Sequence, residues 1–178
     1  MNLILIGYRG AGKSTIAQEL GLRLALPVVT MDAEIERRAG QPIPALVAAH
    51  GWPHFRKLEA DLAVELAGRD GLIVDAGGGL VTQPEPMAAL RRSGLVFWLT
   101  AGVPTLVERL QSSTNRPSLT SRDFRDEVAE VLAARAPLYA AAAHFKISTE
   151  LRSVAACCDE IVTLWRAHAG GSNRGAPA

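Results

Sequence analysis

The chain has 178 residues, 48% of them apolar, and a formal net charge of +1 from 19 basic and 18 acidic side chains, which suits one globular domain with a single core. No lysine or arginine run is dense enough for a nucleic-acid or membrane patch, and no apolar run approaches the ~20 residues of a membrane span. Nucleic acid and membrane are therefore not expected partners. Lys13, Lys57 and Lys146 are the only lysines, so most positive charge is guanidinium, a group suited to planar, bidentate recognition of phosphate or carboxylate.

Asn2 to Ile6 is a short apolar run ended by glycine, and Ser14 to Leu26 carries apolar residues at helical spacing. This order predicts a buried strand, a loop and a helix. Val28 and Val29 suggest a second strand, with short helices at Ala33 to Ala39 and Pro44 to His50, and a longer helical pattern from Trp52 to Gly68. Leu72 to Val74 is a third candidate strand. It runs into Asp75 and the triple glycine Gly77, Gly78 and Gly79, which no helix would accommodate. A helix at Pro84 to Arg92, a fourth strand at Leu95 to Leu99 and a helix from Pro104 to Leu110 follow. Residues 111–123 are polar, contain Pro117 and lack apolar period. The helical pattern resumes from Glu127 to Ala136, Phe145 to Ile147 is a fifth strand, and Val154 to His168 closes as an amphipathic helix.

Strands alternating with helices predict an α/β fold with a parallel sheet covered on both faces. One domain is expected over residues 1–169, with a disordered tail at 170–178. Cys157 and Cys158 are adjacent and suit reduced thiols rather than a structural disulfide. Leu3 to Ile6 is too short and too poorly flanked for a signal peptide. A soluble cytoplasmic protein is expected, and a monomer.

The segment Gly7-Tyr8-Arg9-Gly10-Ala11-Gly12-Lys13-Ser14, followed by Thr15, matches the eight-position P-loop pattern between a strand and a helix. Its glycines let successive N–H groups face a phosphate chain, and the helix N-terminus adds partial positive charge. Lys13 is placed to reach the β- and γ-phosphates of ATP, and Ser14 is the usual magnesium ligand. The same loop serves hydrolases, GTPases, kinases and sensors alike. The Asn-Lys-x-Asp motif that reads guanine is absent.

Other segments discriminate further. The P-loop, Asp32 with Glu34-Ile35-Glu36, Phe55-Arg56 with Glu59, Gly77-Gly78-Gly79, Arg116-Pro117 and Arg135-Ala136-Pro137-Leu138-Tyr139 together resemble the shikimate kinase family over about residues 2–168. The resemblance implies a five-stranded parallel sheet, a small helical region that binds the acceptor, and a mobile lid at about 111–123. It implies transfer of the γ-phosphoryl group of ATP to the 3-hydroxyl of shikimate, in the route to chorismate and the aromatic amino acids. Lys13, Asp32 and Arg116 become the catalytic residues. Gly10, Ala11, Gly12, Lys13, Ser14, Thr15, Arg109 and Arg116 become the ATP site, with Arg109 beside the adenine. Asp32 falls on the ring hydroxyls of shikimate, Arg56 and Arg135 on its carboxylate, and the Gly78 backbone beside them. Taken singly, Asp32 also reads as a helix N-cap, Arg56 and Arg135 as surface ion pairs, and Arg109 as an exposed helix arginine.

The sequence departs from the family at one point. Many members carry Asp-x-Asp after the second strand, where this chain has Thr30-Met31-Asp32. Magnesium beside two phosphates wants a carboxylate nearby, and Asp75 at the end of the third strand is the expected replacement, acting through water with Ser14, while Thr30 bonds a metal-bound water. The alternative reading of Asp75 is a cap on the glycine loop. Two rival functions are a kinase for another carboxylated polyol such as gluconate and a catalytically silent ligand sensor. Histidines 50, 54, 144 and 168 lack metal-ligand spacing.

Overall fold

The computed structural model describes residues 1–111 and 124–169; the expected lid beyond Gln111, with Arg116, and the expected tail lie outside them. Five strands, β1 (Asn2–Ile6), β2 (Val28–Thr30), β3 (Ile73–Asp75), β4 (Gly94–Thr100) and β5 (Phe145–Ser148), form one parallel sheet in the order β2-β3-β1-β4-β5. The helices are α1 (Lys13–Leu24), α2 (Met31–Ala39), α3 (Ile43–Ala67), α4 (Pro84–Ser93), α5 (Val103–Gln111), α6 (Phe124–Ala142) and α7 (Val154–Ala169).

Because alternate side chains of a strand point to opposite faces, the continuous apolar run of β1 feeds two cores. Ile4 and Ile6 pack with Leu62 of α3, Leu90 of α4 and Tyr139 of α6. Leu3 and Leu5 pack with Ile16 and Leu20 of α1 and Ile161 of α7. Both cysteines are buried free thiols in this second core. No helix among the described residues is long and apolar enough to cross a membrane.

Two elements differ from the sequence reading. The two helical patterns on either side of Gly51 form one span, α3, broken by Gly51 at φ 81° ahead of Pro53. Helix α6 does not stop at Ala136 but continues through Pro137 to Ala142. A proline inside a helix forfeits one hydrogen bond and clashes with the preceding turn, at a cost of about 3 kcal/mol. Tyr139, fully buried and stacked on Trp98 at 5.7 Å between ring centres, holds the helix together beyond it. The continuation sets Arg135 and Tyr139 one turn apart on one face.

The register fixes where the loops emerge. Leu5 of β1 pairs with Asp75 of β3, and Thr30 of β2 pairs with the same Asp75. The chain therefore leaves the carboxyl ends of β1, β2 and β3 at one level, the usual place for a ligand crevice in an open α/β sheet.

Asn2 is a polar exception in β1. It is fully buried, donates from Nδ2 to the carbonyl of Arg69 at 2.7 Å, and accepts at Oδ1 from the Leu72 amide at 3.0 Å. It thereby ties the sheet to the turn that enters β3. Asn2→Leu should leave that amide and carbonyl unsatisfied and lower stability by roughly 2–3 kcal/mol, read by urea denaturation of the two proteins.

Candidate active site

The phosphate-binding loop follows β1. Gly7, Gly10 and Gly12 hold positive φ angles of 144°, 81° and 87°, a backbone that curls as anion cradles do. The Ala11 amide bonds the Tyr8 carbonyl at 3.1 Å, and α1 begins at Lys13 with Gly12 as its left-handed N-cap. Ser14 and Thr15 stand exposed in the first turn. Lys13 turns back over the loop and donates to the carbonyls of Gly7 at 3.0 Å and Tyr8 at 3.3 Å. Burial pushes its ammonium below the usual lysine range, while Asp75 and Asp32 pull it back up.

Asp75 is 3% exposed, and its Oδ2 accepts a 2.6 Å hydrogen bond from the Ser14 hydroxyl. It is thus bonded to the P-loop helix rather than folded onto the glycine loop behind it. Its carboxyl is raised above the ordinary range, first by burial, against the pull of Lys13 and of the Ser14 bond. This hard-oxygen pair fits magnesium, which keeps several waters and takes substrate phosphate oxygens with one or two protein ligands.

Asp32 lies in the first turn of α2, whose N-cap is Thr30, so it is not the cap. One of its carboxylate oxygens, Oδ1, would sit 3.1 Å from a Cβ placed on Gly77. The three glycines after β3 are explained by close approach, since none of them has a positive φ. A Cβ on Gly77 would also lie 2.6 Å from Glu59 Oε1; one on Gly78 would lie 3.3 Å from the Gly7 carbonyl oxygen; one on Gly79 would collide with the Arg56 guanidinium. Three neighbouring segments thus press on three consecutive residues.

Arg56 is not a surface ion pair. Its Nη1 donates at 2.6 Å to Glu59, which is 1% exposed, and its guanidinium carbon lies 5.5 Å from the Trp52 ring centre and 5.4 Å from that of Phe55. Gln83 donates to the same Glu59 oxygen at 2.8 Å. Burial raises the Glu59 carboxyl above its usual value against the opposing pull of Arg56. Arg135 donates to the Gly78 carbonyl at 3.1 Å, and the Tyr139 hydroxyl donates to the same oxygen at 2.6 Å. Arg109 is likewise no free surface arginine: it bonds the Gly10 carbonyl at 3.2 Å and Thr149 at 3.0 and 2.9 Å, tying α5 to the P-loop and to the end of β5.

Lys13, Ser14, Asp32, Asp75, Gly78, Arg56 and Arg135 therefore meet at one end of the sheet. The sequence assigned no task to Glu59, Gln83 or Tyr139. The i, i+3 spacing of Arg56 and Glu59 on a helix was a usable signal for the first; nothing in the sequence pointed to Gln83.

The family model for shikimate kinase matches residues 9–166. The chain belongs to the shikimate kinase family. A shikimate kinase of Nitratidesulfovibrio vulgaris is 40% identical over 164 residues, covering 90% of this chain and 93% of its own length. One from Pseudomonas savastanoi pv. phaseolicola is 42% identical over 151 residues, covering 85% and 88%. A solved shikimate kinase from Acinetobacter baumannii in complex with shikimate superposes with a TM-score of 0.85 at 29% identity, covering 97% of this chain and 95% of that one. A gluconokinase from Sinorhizobium meliloti reaches a TM-score of 0.59 at 17% identity, which is a likeness of fold alone.

The raised carboxyl of Asp75 makes a stability prediction. The folded protein binds this proton more readily than the unfolded chain, so the contribution is present in full below the unfolded value of about 3.9 and is lost as pH rises through the folded one. Ionising the group in the folded protein therefore opposes folding. Asp75→Asn should raise the unfolding midpoint of the ligand-free protein at neutral pH and flatten its decline as pH rises above the unfolded value of about 3.9. Calorimetry across that range checks both.

Proposed function

We propose that this kinase transfers the γ-phosphoryl group of ATP to the 3-hydroxyl of shikimate, giving shikimate 3-phosphate and ADP for the synthesis of chorismate and the aromatic amino acids. The observation that carries the reading is the convergence of Arg56 and Arg135, from two different helices, on Gly79 and Gly78 of a loop that also abuts the P-loop at Gly7. Two guanidinium forks on a loop that touches a phosphate cradle suit an acceptor that is an acid at one end and an alcohol at the other. The same pair argues against acceptors without a carboxylate. A silent sensor would have no use for Lys13, Ser14 and a buried Asp75 gathered around one point.

In this reading Arg56 and Arg135 hold the shikimate carboxylate, the Gly78 backbone lines the pocket, and Asp32 orients the ring hydroxyls. The acceptor oxygen attacks the γ-phosphorus in line, the bond to the ADP oxygen breaks, and the hydroxyl proton passes to Asp32. Gly10, Ala11, Gly12 and Thr15 cradle the phosphate chain, Lys13 neutralises charge on it, and Arg109 borders the adenine. Arg116, in the segment outside the described residues, is assigned to the transferring group. Ser14 directly, and Asp75 through water, would hold magnesium, which supplies charge neutralisation between the β- and γ-phosphates when bound. The chain is read as a cytoplasmic monomer whose partners are its two substrates.

The test is ADP release in magnesium and ATP with shikimate, gluconate or quinate, the product being identified by mass. Shikimate alone should stimulate release strongly; equal stimulation by gluconate would overturn the assignment. Arg56→Ala should raise the KM for shikimate by roughly tenfold to a hundredfold and leave that for ATP unchanged. Asp75→Ala should raise the magnesium concentration at half-maximal rate far more than the KM for shikimate. An unchanged magnesium dependence would remove Asp75 from the site.

A further inference from the structure

Arg9 is the third residue of the phosphate-binding loop and has no part in the reading above. Its guanidinium carbon lies 6.0 Å from the centre of the Tyr8 ring and 5.6 Å from that of Phe124, the first residue of α6. Its Nε is buried without a hydrogen-bond partner, and among the described residues no carboxylate is paired with the group. A guanidinium carries five N–H donors in its plane. Rings beside it attract the charge but satisfy none of those donors. The residue as a whole is only partly buried, but holding that one donor, Nε, out of water without an acceptor is unfavourable, and an anion reaching the group would meet it.

The loop geometry says which anion. Lys13, the residue that reaches the β- and γ-phosphates in this motif, rests on the carbonyls of Gly7 and Tyr8. The first residues of the loop therefore lie at its γ-phosphate end. A Cβ on Gly78 would lie 3.3 Å from the Gly7 carbonyl oxygen and 3.6 Å from the Arg9 amide nitrogen, so Arg9 springs from the point where the nucleotide loop meets the loop that Arg135 and Tyr139 grip. We infer that Arg9, steadied by Tyr8 and Phe124, is a catalytic cation for the transferring phosphoryl group, donating to a γ-phosphate oxygen beside Lys13. The group gives up no proton. Its donors meet charge on the equatorial oxygens while the bond to ADP breaks and the bond to the acceptor oxygen forms.

The inference rests on the proposed kinase reaction, and on shikimate only as the acceptor used. A γ-phosphate contact separates ATP from ADP, which a mere brace of the loop does not. Dissociation constants of magnesium with ADP and with a non-hydrolysable ATP analogue, measured calorimetrically without acceptor, should be compared for the wild type, Arg9→Gln and Arg9→Met. The expected result is ADP affinity within about twofold of wild type, with the analogue weakened and kcat lowered by roughly tenfold to a hundredfold. Phe124→Leu, which keeps the apolar packing and removes the ring face, should shift the ratio in the same direction by less. Equal weakening of both nucleotides, or failure of both Arg9 variants to bind ADP or to fold, would make Arg9 a structural brace and overturn the inference. Loss of shikimate affinity with both nucleotide affinities intact would assign it to the acceptor and overturn it as well. A wild-type protein that leaves shikimate untouched, with Arg9 variants that still weaken the analogue and spare ADP, would unseat the acceptor assignment alone.

Discussion

Close approach at the three residues after β3 is the constraint on which the rest of the site depends. Gly77 lies against Glu59 and Asp32, Gly78 against the start of the P-loop, and Gly79 against the Arg56 guanidinium. A methyl group at any one of them would push apart groups that the proposed reaction needs together. The carbonyl of Gly78 also receives both Arg135 and Tyr139, so α6 is fastened to the same spot. The loop acts as a shared floor. Its backbone, rather than any side chain of its own, sets the spacing between the P-loop and the arginines Arg56 and Arg135, which is why bulk is excluded there and why a few tenths of an ångström would matter for the proposed in-line transfer.

The charged groups around that floor already hold one another in an order that ligands can exchange. Lys13 bonds loop carbonyls, Ser14 bonds Asp75, and Arg56 bonds Glu59. Each contact satisfies a polar group that would otherwise be desolvated and alone, and the first two have a natural replacement in a phosphate oxygen or a metal ion. Glu59 differs from the others. It is almost fully buried and also receives Gln83, so it stays with Arg56 and aims it. The arginine proposed to meet an acid substrate is thus preorganised by an acid of the protein, with Trp52 and Phe55 close to its guanidinium.

Much of this was legible from residues alone, because local rules and tertiary packing agree there. The strand, glycine loop and helix from Asn2 to Leu24 follow from apolar runs and punctuation, and five candidate strands became the five of the sheet. The end of α6 was illegible for a physical reason: Pro137 is a stop signal in isolation, and only the burial of Tyr139 against Trp98 overrides it. The glycine triplet was conspicuous, but its cause was hidden, since sequence suggests backbone freedom where the structure shows crowding. Gln83 was invisible because its importance comes from a partner 24 positions away in the chain. Arg9 was read only as one letter of a motif.

The register of β2 and β3 gives the change at Thr30 a physical meaning. Thr30 and Asp75 are directly paired across neighbouring parallel strands, and adjacent strands lie only about 4.8 Å apart. A carboxylate moved sideways by one strand at the same height still faces the start of α1, and a water between protein and metal absorbs a displacement of that size more readily than a direct ligand would. The bond from Ser14 to Asp75 shows that a carboxylate at this position reaches the first turn of α1. In the proposed site a threonine on the edge strand β2 and an aspartate on the interior strand β3 would divide between them what one aspartate on β2 would do. The interior position has its own consequence: it buries the charge, raises the carboxyl and sets stability of the empty protein against readiness for the metal.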